Sequence, residues 1–95
     1  MKQQYRQFAR DLFNVKMTIA LNVCNGVDTK LCDKIKELDE LRPKLKNDLA
    51  ELLKEFITSY PQFATNDIEE LKDINRTYHR RLHNYINQTR RKLED

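Results

Sequence analysis

Apolar side chains recur at intervals of three and four residues along nearly the whole chain, and the recurrence is interrupted at only two places. The first run is Met1, Tyr5, Phe8, Leu12, Val15, Ile19 and Val23. The second is Leu31, Ile35, Leu38, Leu41, Leu45, Leu49, Leu52, Leu53 and Phe56. The third is Ile68, Leu71, Ile74, Tyr78, Leu82, Tyr85, Ile86 and Leu93. This period lines one side of an α-helix and does not suit the strict alternation of a half-buried strand. The interruptions are Asn25-Gly26 and Thr58-Ser59-Tyr60-Pro61-Gln62. One glycine and two prolines among 95 residues are too few for the turns of an all-β domain. The expectation is an all-α chain: a single domain over residues 1–95, folded as an antiparallel up-down-up three-helix bundle with short connections.

The punctuation predicts where each helix stops and starts. Gly26 ends the first helix by taking the left-handed cap that a Cβ disfavours. Asp28 or Thr29 caps the second by accepting from a free amide of its first turn. Pro43 falls inside the second run, where it removes a backbone donor and disfavours helical geometry at Arg42. The middle helix is therefore kinked at Pro43, or broken there with Pro43 opening a new helix. The apolar phase continues across Pro43 without added residues, which favours the kink. Pro61 forbids continuation, and Phe63 folds back as a plug over the bundle end. Thr65, Asn66 and Asp67 supply the third start, with Asn66 and Glu69 in capping-box spacing and Asp67, Glu69 and Glu70 at the positive end of the helix. Phe13, Met17, Leu21 and Leu53 form apolar flanks to the three seams. Two readings stay open for them: a wider core, or the face of a self-associating homodimer.

Several function classes are disfavoured by composition. No apolar run approaches the ~18 residues of a membrane span; the richest, Val15 to Cys24, is broken by Lys16, Thr18 and Asn22. Arg6, Arg10 and Asp11 interrupt any signal-peptide core. The expectation is a cytoplasmic protein with no membrane partner, whose Cys24 and Cys32 are reduced thiols flanking the first turn. A disulfide between them would close only a short loop. The single glycine excludes a phosphate-cradling loop, and no cofactor is implied. Asp39 and Glu40, like Glu69 and Glu70, diverge by about 100° around a helix and form no acid–base pair. His79 and His83 are one turn apart, a spacing that suits a metal. Arg80-Arg81-Leu82 between them lacks the metalloprotease glutamate, and the cysteines lie about 10 Å or more away along the axis. Both histidines are read as surface groups, and no metal is expected.

The most distinctive feature is basic. From Arg76 to Lys92 there are six arginine or lysine residues and no acidic one, although the net charge of +3 is mild and does not by itself imply nucleic acid. One reading is a solvated helix end that complements its own dipole. A second is pairing with Asp33, Glu37, Asp39 and Glu40 on the middle helix. The third is a binding face made of Arg76, Tyr78, Arg80, Arg81, Tyr85, Arg90, Arg91 and Lys92, rich in the residue types that dominate interface hot spots. It would take an acidic protein surface, or the phosphates of a nucleic acid.

Two short resemblances bear on this. Arg76 and His83, separated by six residues, resemble the Arg-x4–6-His signature of HEPN-type ribonucleases. In that helical, dimeric family the histidine does acid–base work; here a threonine follows the arginine. Tyr5-Arg6-Gln7-Phe8 resembles the Leu-Tyr-Arg motif of small mitochondrial three-helix adaptors, with Gln4 in place of the leucine. The leading expectation is a small non-enzymatic helical binding protein, an adaptor, regulator or inhibitor acting through protein–protein contacts. The alternative is a nucleic-acid-binding protein using the basic face, and the third reading is a HEPN-like ribonuclease using His83.

Overall fold

The computed structural model of the chain describes residues 2–63 and 67–94. It contains three long helices: α1 (Lys2–Asn25), α2 (Leu31–Ser59) and α3 (Ile68–Glu94). No strand occurs among the described residues. Each helix packs against both others, giving a rod of 49 × 18 × 18 Å. No helix is long and apolar enough to cross a membrane among the described residues.

The core follows the second and third apolar runs, apart from Leu31, which is exposed, and departs from the first after Tyr5. On α2 the buried side chains are Leu38, Leu41, Leu45, Leu49 and Phe56; on α3 they are Leu71, Tyr78, Leu82 and Ile86. On α1 they are Tyr5, Ala9, Phe13, Lys16 and Ala20. The expected seam of Phe8, Val15 and Ile19 is instead 42%, 52% and 39% exposed. Phe13, expected on a flank, is core, whereas Leu21 is exposed and Met17 and Leu53 are half-buried. The whole helix is rotated toward its small residues. Ala9 and Ala20 bring its backbone close to its neighbours, since the side chains at a helix contact set the interaxial distance.

That rotation buries Lys16, which is only 8% exposed. Its ammonium lies 2.7 Å from an Asp48 carboxylate oxygen on α2, which compensates a charge that is costly to desolvate alone. One polar chain also runs through all three helices. The Tyr5 hydroxyl donates to Asn75 Oδ1 at 2.6 Å, and Asn75 Nδ2 donates to the Leu49 carbonyl at 3.4 Å. Burial pushes the Tyr5 phenol up to about 12, with the Asn75 hydrogen bond acting in the opposite direction.

The helix ends partly differ from expectation. Gly26 does not adopt positive φ; its amide bonds to the Val23 carbonyl at 3.3 Å. A Cβ there would meet Thr29 Oγ1 at 3.3 Å, so glycine serves a close approach and not a left-handed cap. Neither Asp28 nor Thr29 caps α2. Lys30 occupies the cap position in extended geometry without a side-chain bond, and Asp33 in the first turn complements the helix dipole. The α2 helix is one element with Pro43 inside it. At its far end Phe63 is buried as expected, 5.2 Å from the Phe56 ring, and Tyr5 meets Phe56 edge-on at 5.2 Å. The expected capping box rests on Asn66, which lies with Thr65 outside the described residues, as does Met1 of the first run.

Candidate functional site

The structure divides the basic residues of α3 among four surroundings. Arg76 and Arg80, one turn apart, border a groove of about 520 Å³ between α2 and α3. Its floor is Leu49, Ala50 and Leu53, and its rim adds Lys46, Lys72 and His79. On α2 the positions 46, 49, 50 and 53 share one face by helical period. The groove residues Lys46, Ala50 and Lys72 were not singled out in the sequence, and His79 was considered there only as a metal ligand, although the i, i+3, i+4, i+7 spacing on α2 carries the signal. Asn75, which ties the helices together, also lines this groove.

Arg81 is turned to the opposite side, against α1. Its guanidinium sits 5.1 Å from the Phe13 ring centre and 5.5 Å from that of Tyr78, a favourable stacking of cation on π-face. Tyr78 is buried in the core and Tyr85 half-buried, so neither offers a full aromatic face to a partner. Arg90 is half-buried and held by Asp39 at 3.3 Å and Glu94 at 3.7 Å. Arg91 and Lys92 are exposed and make no ion pair among the described residues. Thus Arg76 and Arg80 form a pair, while Tyr78, Arg81 and Tyr85 lie along α1 and Arg90 is engaged by α2. The expected pairing with the middle helix is realised at Asp39, which also accepts from Arg42 at 2.7 Å.

Within the α2–α3 groove the charge is partly compensated. Lys72 lies 3.6 Å from Glu69, and Arg76 pairs with Asp73 and approaches Glu69 at 3.8 Å. Lys46 and Arg80 have no ion pair among the described residues. The cationic surroundings act on His79. Burial first, then the charges of Lys46, His83 and Arg42, hold it below its ordinary value, against an opposing backbone hydrogen bond to Arg42.

The ribonuclease resemblance places its weight on Arg76 and His83. Arg76 is engaged by Asp73. His83 Nδ1 is 3.0 Å from Arg42 Nη1, and its Nε2 is 3.1 Å from the Asn87 amide. A guanidinium only donates, so Nδ1 accepts from Arg42, and the contact at Nε2 is with Asn87 Nδ2. Both ring nitrogens are therefore occupied. Among the described residues no three His, Cys, Asp or Glu side chains gather where they could hold a metal, and Cys24 is half-buried and Cys32 exposed as free thiols.

Compared with protein-family models, curated proteins and solved structures, the chain matches none significantly. The functional reading therefore rests on the grooves themselves.

Proposed function

We propose that this chain is a small non-enzymatic binding protein that receives an acidic amphipathic segment of a partner protein in its α2–α3 groove. The observation that carries the reading is the apolar floor of Leu49, Ala50 and Leu53 set between Lys46 on one wall and Arg76 and Arg80 on the other. An amphipathic helix seats apolar anchors on such a floor, with its flanking carboxylates meeting the cations. A nucleic acid reads the same groove less well, because its phosphate backbone rewards cations and polar donors rather than Leu and Ala. Arg91 and Lys92 are the residues that would favour that alternative.

The reading takes the bundle as up-down-up. In support, Lys2 pairs with Asp67 and Glu70, start against start of α1 and α3, while Asp39 near the start of α2 meets Arg90 near the end of α3. It also takes α2 as bent at Pro43, which has no amide to offer the Asp39 carbonyl.

Amide chemical-shift mapping tests it, because it registers even millimolar binding. The probe is a helical peptide with leucines at i, i+4 and i+7 flanked by glutamates. Shifts at Lys46, Ala50, Leu53, Arg76 and Arg80, weakened by R76E/R80E, are expected. Absence of shifts there, or tighter binding of a single- or double-stranded oligonucleotide with steep salt dependence, overturns the reading.

A further inference from the structure

The rotation of α1 leaves a second groove with the opposite character. Phe8, Leu12 and Val15 from α1 and Leu52 from α2 form an apolar floor, and Asp11, Asp48, Glu51 and Glu55 form the walls, around about 430 Å³. Ile19 extends the exposed apolar row by one more turn. From Phe8 to Ile19 the row is about 17 Å long, the reach of a three-turn helix presenting i, i+4, i+7 and i+11 anchors. The spacing of four, three and four residues is that of a coiled-coil seam whose second helix is missing.

The charge of the walls says what kind of helix completes the seam. Lys16 pairs with Asp48 and compensates its charge, so the wall's uncompensated carboxylates are Asp11, Glu51 and Glu55. Gln7 donates to Asp11 at 2.9 Å, which leaves its charge in place. Glu51 and Glu55 have no ion pair among the described residues, and no cation lines the groove. A second copy seated there about a two-fold axis would bring the same acidic walls against each other, since an isologous contact meets itself, and like charges at that range oppose association. The basic helix α3 of another copy does not fit either, because no large apolar side chain of α3 is exposed. A membrane surface, usually anionic, is repelled by the same walls.

We propose that the α1–α2 groove docks a basic amphipathic helix of a partner protein, its apolar residues on Phe8, Leu12, Val15 and Leu52 and its lysines or arginines against Asp11, Glu51 and Glu55. Both grooves run beside the same stretch of α2. Lys46, Leu49, Ala50 and Leu53 face one groove, and Asp48, Glu51, Leu52 and Glu55 face the other. A chain built this way bridges two partners of opposite charge. The α1–α2 site stands independently of the reading of the α2–α3 groove.

The test titrates the full chain with a helical peptide carrying leucines at i, i+4 and i+7 flanked by lysines, followed by amide shifts. Shifts are expected at Phe8, Asp11, Leu12, Val15, Glu51, Leu52 and Glu55. The variants V15N and E51K/E55K change only exposed side chains, so the fold is retained, which far-UV circular dichroism checks. Each should weaken the lysine-flanked peptide about tenfold or more, E51K/E55K increasingly so at low salt, while leaving the response to the glutamate-flanked peptide unchanged. The proposal fails if the lysine-flanked peptide leaves these residues unshifted, or binds the variants as it binds the native chain. It fails equally if the free protein self-associates through this row, seen as concentration-dependent shifts at Phe8, Val15 and Ile19 that V15N removes.

Discussion

Removing the hydroxyl of Tyr5 tests a polar connection that joins all three helices. In Y5F the ring stays, so the edge-on contact with Phe56 at 5.2 Å and the apolar burial are kept. What is lost is a 2.6 Å hydrogen bond from a fully buried side chain. A net hydrogen bond contributes about 0.5–1.5 kcal/mol, and a buried acceptor left unpaired costs about 1–3 kcal/mol. Asn75 is half-buried and still donates to the Leu49 carbonyl, so water reaches its oxygen in part and the lower end applies. The expected loss is about 1–2 kcal/mol, a fall in Tm of roughly 4–8 °C per kcal/mol for a domain of this size. Urea unfolding followed by circular dichroism at neutral pH should show a lower midpoint at constant slope. The pH dependence gives a second readout. The folded phenol titrates near 12 against 10.0 when unfolded, so the folded state retains its proton longer. That contribution is complete below pH 10 and is lost as pH rises through 12. The native chain should therefore lose stability over that window more steeply than Y5F. A Y5F midpoint indistinguishable from native would refute the three-helix connection, and an identical alkaline decline in both would refute the burial of the phenol.

The half-buried pair Lys16–Asp48 should respond asymmetrically. D48A strands a nearly buried ammonium and costs about 1–3 kcal/mol, reduced from the fully buried case because Asp48 reaches solvent. K16M should be neutral or stabilising, and K16M/D48A should be more stable than D48A alone; equal costs for the two single variants by urea midpoint would contradict this. His79 is held below its ordinary value, so the unfolded chain takes up the proton first. Its contribution is complete above pH 6.5 and is lost as pH falls from there through the lowered folded value. H79Q should flatten that slope. A glutamate-flanked peptide in the α2–α3 groove should favour the charged ring, so its binding should tighten as pH falls in the native chain and not in H79Q.

The helical class, the two stop points and the aromatic plug were legible because each rests on local chemistry. Pro61 falls just past the cap at Tyr60, where a proline commonly closes a helix, and Phe63 follows it within reach of Phe56. The cores of α2 and α3 were also readable, since their apolar rows have no competing row at another angle. The candidate site was only partly legible. Arg76 and Arg80 border a groove, but Arg81, one residue on, is rotated by about 100° onto Phe13 and Tyr78, and Arg90 is held by Asp39. The lysines and histidine that complete the α2–α3 groove come from two helices, and nothing local to either announces the other.

The sequence by itself determined three amphipathic helices, their limits to within a few residues, and the charge that each carries. Tertiary structure decided which face of α1 turns inward. Hydrophobicity alone favours Tyr5, Phe8, Leu12, Val15, Ile19 and Val23; Tyr5 does join the packed face of Tyr5, Ala9, Phe13, Lys16 and Ala20 and Leu12 and Val23 lie half-buried beside it, but Phe8, Val15 and Ile19 are left exposed. Two facts outside α1 select the packed face: Asp48 on α2 compensates Lys16, and Asn75 on α3 accepts from Tyr5. A helix can rotate about its axis at little local cost, so its phase is set by its neighbours, and here that choice is what leaves an apolar row exposed between acidic walls.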